Sequence, residues 1–285
     1  MRTPGDSVSI DRSFVRVAGG EIHLRRSTGG AGRALVMIHA SPGSSRNLLP
    51  LIEALARDGR RVLAADTPGN GDSDDLAPEA PDVAWYAVAL VELLDRLGVD
   101  EVDLYGTHTG ARIAVEVAAQ APERVGALIL DGLIDYPPET RALFLERYAP
   151  AMEPDDYGRQ FAWAFNYIRD QAVHFPHFLR DPEHRIMTRA VPDAASLHAS
   201  TLDLLKALTS YHKAYRAAFA YPLMERLPEV MAPTLLLRAQ GELPALKAAV
   251  EAMSAVLSRS SIVPVAGDAG AKAAVIGRFL ALNGE

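Results

Sequence analysis

Val102-Asp-Leu-Tyr-Gly-Thr-His-Thr-Gly110, continuing as Ala111-Arg-Ile-Ala-Val-Glu-Val-Ala-Ala-Gln120, is the stretch that decides the fold. Apolar side chains at Val102 and Leu104, with Tyr105 beside them, predict a short buried strand. After Gly110 the apolar period lengthens to 3.6, which predicts a helix. Between the two lies a turn in which Gly106 and Gly110 stand two residues either side of His108. Small residues at that spacing let one side chain stand on a sharp, strained strand-to-helix corner. The chain therefore builds a corner for a reactive side chain and puts an imidazole on it.

Outward from this corner the pattern alternates. Towards the N-terminus, Ser13–Val17 and Glu21–Arg25 flank Gly19-Gly20 and predict a hairpin. Ala34–Ile38 is a continuous apolar run, as expected of a strand buried on both faces of a parallel sheet. A helix over 48–57, a strand over 62–65 and a helix over 83–97, stopped by Gly98, lead into the corner strand. Beyond the corner helix, Val125–Leu130 is another buried strand, ending in Asp131-Gly132. Strands and helices alternating at this rhythm predict a mostly parallel, eight-stranded α/β sheet covered on both faces. From 133 to 227 the rhythm stops. That segment is helical in pattern, rich in aromatics and histidines, and too long for a plain connection. It is expected to be a helical cap inserted after the sixth strand, with 1–132 and 228–285 forming the core. Strands at 234–239 and 262–266 and helices at 244–257 and 271–282 complete the pattern.

Composition narrows the function classes. The chain of 285 residues is 49% hydrophobic and 23% charged, with a formal charge of −7, which disfavours a phosphate-backbone partner. No nucleic acid, no membrane span and no signal peptide are expected. Zero cysteines exclude disulfides, thiolate nucleophiles and thiolate-bound metal. The expectation is a cytoplasmic protein, monomer or homodimer, with a small-molecule substrate.

Two further segments sit where site loops belong. His39-Ala-Ser-Pro-Gly43 follows the third strand, and Asp66-Thr-Pro-Gly-Asn-Gly-Asp-Ser73 follows the fourth. Together with the corner and the strand order, these resemble the α/β-hydrolase fold. The first resembles that family's His-Gly-X-Pro loop, with Ala40 in place of glycine. The second is similar to its Asp-X-Pro-Gly-X-Gly-X-Ser segment. The corner resembles its nucleophile elbow, where relatives carry serine, cysteine or aspartate and this chain carries His108.

The resemblance implies a triad of elbow nucleophile, acid and C-terminal histidine. Here the last histidine of the chain is His212, inside the expected cap. Asp268, in Ala266-Gly-Asp-Ala-Gly-Ala271, stands at the family's histidine place, Glu242 matches the acid loop, and Asp131 matches the other acid position. An ordinary serine hydrolase is therefore excluded by residue inventory. A carboxylate on one ring nitrogen would make His108 a general base, or the ring could attack an acyl group itself. The resemblance also implies an oxyanion site from the backbone of Ser41 and Thr109 beside Ala40. Three functions follow: a hydrolase of a small, largely apolar carbonyl or ester compound, a lyase, decarboxylase or isomerase using His108 for proton transfer, and a catalytically silent ligand-binding protein. A metal held by His108, Asp268 and Glu242 matches known donor sets, but no close-spaced ligand pair is present, so neither metal nor cofactor is expected. The cap aromatics Trp163, Phe161, Phe165, Tyr167, Phe175, Phe178, Tyr211 and Tyr215 are expected to form the cap's own core and roof an apolar pocket.

Overall fold

The computed structural model describes residues 8–187, 189–240 and 244–283. Its strands are β1 (Ile10–Val17), β2 (Gly20–Ser27), β3 (Ala31–Ile38), β4 (Arg60–Ala65), β5 (Val102–Thr107), β6 (Val125–Asp131), β7 (Thr234–Ala239) and β8 (Ser260–Val265). They form one eight-stranded sheet in the order β1-β2-β4-β3-β5-β6-β7-β8. The β1–β2 and β2–β4 pairs are antiparallel, and every other pair is parallel.

The continuous apolar runs are explained by burial on both faces, because successive side chains of a strand point to opposite sides. Ala34, Val36 and Ile38 of β3 face one apolar layer, and Leu35 and Met37 face the other. In β5 the same alternation sends Val102 and Leu104 one way and Tyr105 the other. Helices α2 (Val83–Arg96) and α3 (Thr109–Gln120) cover the first layer, and α1 (Leu49–Arg57) and α10 (Ala269–Asn283) cover the second. From β3 the chain steps outward to β4 and then returns past β3 to β5. Strand order thus reverses between β3 and β5, and in open α/β sheets a ligand crevice forms outside the carboxyl ends of such a pair.

Between β6 and β7 lie α4 (Pro138–Arg147), α5 (Arg159–Val173), α6 (Ala194–Lys206), α7 (Tyr211–Ala220) and α8 (Leu223–Arg226), with α9 (Pro244–Val256) following β7. Tyr211, Tyr215 and Phe219, spaced by four along α7, join Phe144, Tyr148 and Tyr167 in an aromatic cluster of their own. The opposite face of α7, with Ala214 and Ala217, packs on the main core. One helix thus belongs to both bodies and fixes the helical segment over the sheet. Two expected members of this cluster are elsewhere. Phe161 and Phe165 are 59% and 41% exposed, because α5 turns Ala164, Tyr167 and Ile168 inward and a 3.6-residue period cannot bury both sets.

Candidate functional site

The corner between β5 and α3 has the backbone its sequence predicts. His108 adopts φ 49° and ψ −107°, and it is the one non-glycine residue with positive φ among the described residues. This conformation is sparsely populated for a residue with a Cβ and persists only where surrounding structure enforces it. Enforcement comes from both sides. The His108 N–H donates to the Asp131 carbonyl at 2.9 Å, and the His108 carbonyl accepts from Ala111 at 3.2 Å. The flanking glycines are sterically required: a Cβ on Gly106 would lie 2.4 Å from the Gly110 carbonyl oxygen, and one on Gly110 would lie 2.3 Å from that of Ile38.

The imidazole stands exposed at the floor of a cavity of about 400 Å³. Beside it, Ala40 and Ser41 from the end of β3, Thr109 and Gly132 complete the floor. The roof is aromatic, with Tyr148, Phe175, Tyr215 and Phe219 from the helical segment. The ring leans over Gly132, so closely that a Cβ there would lie 2.4 Å from its Cε1 atom. Thr109 is buried and opens α3, so its N–H lacks an intrahelical acceptor. The Ser41–Pro42 peptide is cis.

The acids expected near His108 are distributed differently. Asp131 is buried, and its Oδ2 accepts from the Tyr105 hydroxyl at 2.7 Å and from Lys272 Nζ at 2.5 Å, while Oδ1 has no partner among the described residues. The strand end that supplies the His108 backbone acceptor thus directs its carboxylate to a lysine of α10. Asp268 is exposed and caps α10, accepting from the Ala271 N–H at 2.9 Å. Glu242 lies outside the described residues. Among the described residues no carboxylate hydrogen-bonds the His108 ring, and no histidine of the 133–227 segment lines the cavity.

His39 and Asp66 hold the neighbouring loops. Since His39 Nε2 faces the Thr67 N–H at 3.0 Å, that nitrogen accepts, and Nδ1 donates to the Ala40 carbonyl at 2.8 Å. Asp66 accepts from the N–H groups of Ser45 and Asp72 at 2.6 and 2.9 Å and pairs with His23 at 2.9 Å. Burial alone would raise its pKa, but the His23 hydrogen bond and the N–H donors of Ser45 and Asp72 outweigh it and hold the carboxyl well below the usual carboxylate range. His23, Asp66 and Asp72 gather close enough to bind a metal ion. Arg12 lies against both His23 and Asp72, and Lys206 against Asp72, so the cluster is already a hydrogen-bonded ion-pair network.

Three contributors escaped sequence reasoning: Lys272, Arg112 and Arg189. Both arginines line the cavity, and no aspartate or glutamate does so among the described residues. Arg112 had a legible signal, being a charge on a helix otherwise apolar from Ala111 to Val115.

Solved structures match this architecture along nearly its whole length. Epoxide hydrolase A from Mycobacterium thermoresistibile superposes with a TM-score of 0.73, covering 96% of this chain and 98% of that one at 21% identity. The enol-lactonase from Burkholderia xenovorans gives a TM-score of 0.69, covering 94% and 100% at 19% identity. The family model of the alpha/beta hydrolase fold matches residues 33–167, from β3 to within α5. The chain has the α/β-hydrolase fold. Among curated relatives, a 2-hydroxy-6-oxononadienedioate/2-hydroxy-6-oxononatrienedioate hydrolase of Pseudomonas putida is 38% identical over 129 residues. That alignment covers 42% of this chain and 44% of the relative, less than half of either. A proline iminopeptidase of Clostridium botulinum is 34% identical over 107 residues, covering 36% of each. No helix among the described residues is long and apolar enough to cross a membrane.

Proposed function

We propose that this α/β-hydrolase-fold protein is a hydrolase of a small carbonyl compound, with His108 as its central residue. The observation that carries the reading is the placement of His108. A strained backbone lifts an imidazole into a partly aromatic cavity, at the reversal of strand order where this class of sheet binds ligands. A positive φ at one polar residue, and at no other non-glycine among the described residues, is typical of a functional constraint. The hydrolase and peptidase names of relatives that align with 42% and 36% of the chain support the reaction class.

In this scheme a ring nitrogen of His108 takes a proton from a water molecule, and the hydroxide adds to the substrate carbonyl carbon. The N–H groups of Ser41 and Thr109 hold the resulting oxyanion, and collapse expels the leaving group, which takes its proton back from the imidazolium. The direct alternative, attack by the ring nitrogen itself, gives an acyl-imidazole that water then cleaves. The test is turnover of a panel of small esters and lactones in ¹⁸O-labelled water. His108→Ala should lose at least 100-fold in kcat/KM, in the range of a removed general base, and the wild-type acid product should carry one label. Equal turnover by both proteins sinks the reading. A mass increase equal to the acyl group, trapped on His108 at early times, selects the direct attack.

One observation favours a second reading, a ligand-binding protein without turnover. The carboxylate at the end of β6, Asp131, is committed to Lys272 and Tyr105, and no carboxylate among the described residues hydrogen-bonds the imidazole. Saturable binding of a cavity ligand with no product, labelled or otherwise, over long incubation supports it.

A further inference from the structure

Arg112 is a cation in a place that costs free energy. It sits on the first turn of α3, where the helix dipole disfavours positive charge, and it is only 6% exposed. Its guanidinium reaches two carbonyl oxygens, that of Ile134 at 2.6 Å and that of His108 at 3.4 Å. Among the described residues no carboxylate forms an ion pair with it, and burial pulls its pKa below the ordinary arginine value against weak support from Tyr136 and Asp135. Asp135 is itself held by Arg141 at 2.9 Å. Another buried charge on the same helix is treated in the opposite way: Glu116, one turn further on, is met by Arg226, Tyr221 and Gln120. Buried charges in folded proteins are paired unless a ligand completes the pair. Arg112 lines the cavity together with His108, and a guanidinium has five N–H donors, of which the two carbonyls engage two.

We infer that Arg112 is a carboxylate-binding residue of this cavity, and that the ligand is a small organic acid whose carboxylate lies beside His108. The inference deepens the hydrolase reading by naming a substrate class, and rests on it for calling that ligand a substrate. Four features agree. The side chain is fixed by two backbone acceptors, so little rotamer freedom is lost on binding. The remaining donors can meet a carboxylate in the side-by-side geometry that arginine favours. No acid lines the cavity among the described residues to compete for the guanidinium. The aromatic roof accepts the apolar remainder of the ligand. The earlier expectation of a largely apolar substrate becomes that of an amphipathic one, with its acid group down and its apolar end against the cap.

The experiment is calorimetric titration of benzoate and its neutral isostere benzamide, probes that need no turnover. Wild-type protein should bind benzoate at least tenfold more tightly, the ratio expected of a hydrogen-bonded charge pair. Arg112→Met should erase the ratio while leaving benzamide affinity within twofold, and Arg112→Lys should keep a several-fold preference. Benzamide binding shows that the variant cavity is intact, and the lysine variant guards against misfolding of the methionine one. Equal affinities in the wild type, no binding of either probe, or a ratio surviving in Arg112→Met overturns the inference. Repeating the titration with His108→Ala separates the two proposals. A preserved ratio beside absent turnover in the wild type defeats the hydrolase reading alone, whereas turnover with no ratio defeats this one alone.

Discussion

Replacing Gly132 by alanine tests whether the His108 ring is held where the structure puts it. Gly132 has φ +72°, and its added methyl would lie 2.4 Å from Cε1 and 2.8 Å from both ring nitrogens of His108. Carbon atoms in contact prefer about 3.5–4.0 Å, so the ring must retreat by roughly 1 Å or more. The left-handed conformation costs an alanine about 1–2 kcal/mol, and forcing a packed side chain aside adds about 1–3 kcal/mol. Gly132→Ala should therefore lose about 2–5 kcal/mol of stability. In the His108→Ala background the ring is gone, and only the backbone share of about 1–2 kcal/mol should remain. Denaturant unfolding of the four proteins in the cycle gives a coupling of about 1–3 kcal/mol. The same substitution should lower ester turnover nearly as far as His108→Ala, since a displaced ring no longer faces the oxyanion donors. A coupling under about 0.5 kcal/mol, which is the ordinary error of additivity, would refute the close contact. Wild-type turnover in Gly132→Ala would refute the claim that ring position sets the reaction.

Two other perturbations probe the buried charges around the site. Lys272→Met leaves the Asp131 carboxylate buried with only Tyr105, and should cost about 3–5 kcal/mol in denaturant unfolding; adding Asp131→Asn should recover part of it, and no recovery would mean that lysine packing, not charge, is at stake. Asp66→Asn removes a carboxyl whose folded pKa lies below its unfolded one, so the wild type's advantage, about 3 kcal/mol, is fully present above the unfolded value near pH 4 and lost as pH falls through the folded value. The difference in unfolding free energy between the two proteins should be flat from about pH 8 to 5 and shrink below about pH 4, and a difference that grew on acidification would invert the assignment.

The framework was legible because its signals are local. A strand buried on both faces cannot hide its apolar run, and the 3.6-residue period after Gly110 could only be a helix, so the sheet and its covering helices followed from residues near in sequence. What stayed hidden depended on distant partners. Lys272 reaches Asp131 across 141 positions of chain, and nothing in either neighbourhood announces the pair. Asp268 shows two local readings in conflict. Its place after β8 suggested a site, but an aspartate three residues before an acceptor-poor N–H at a helix start is also an N-cap, and that role is the one its hydrogen bond to Ala271 performs. In α5 the aromatic residues recur at every second position, 161, 163, 165 and 167, and a 3.6-residue period spreads them around the helix, so composition alone could not say that Phe161 and Phe165 point outward.

The corner itself shows why a fold can be read where its chemistry cannot. Gly106 and Gly110 are required because the backbones of β5, α3 and the end of β3 approach within contact distance at those two positions. That requirement concerns main chain against main chain and is indifferent to the side chain between them. The Asp131 carbonyl that receives the His108 N–H, and the N–H that opens α3 at Thr109, are likewise backbone groups. Position 108 can therefore exchange an oxygen for an imidazole without disturbing the strained turn or the donors beside it. A larger ring needs only one concession, a glycine at 132 over which to lie, and the sequence supplies it. The carboxylate and the cation that would otherwise stand free behind the corner neutralise one another as Asp131 and Lys272, so the imidazole shares its cavity with the guanidinium groups of Arg112 and Arg189.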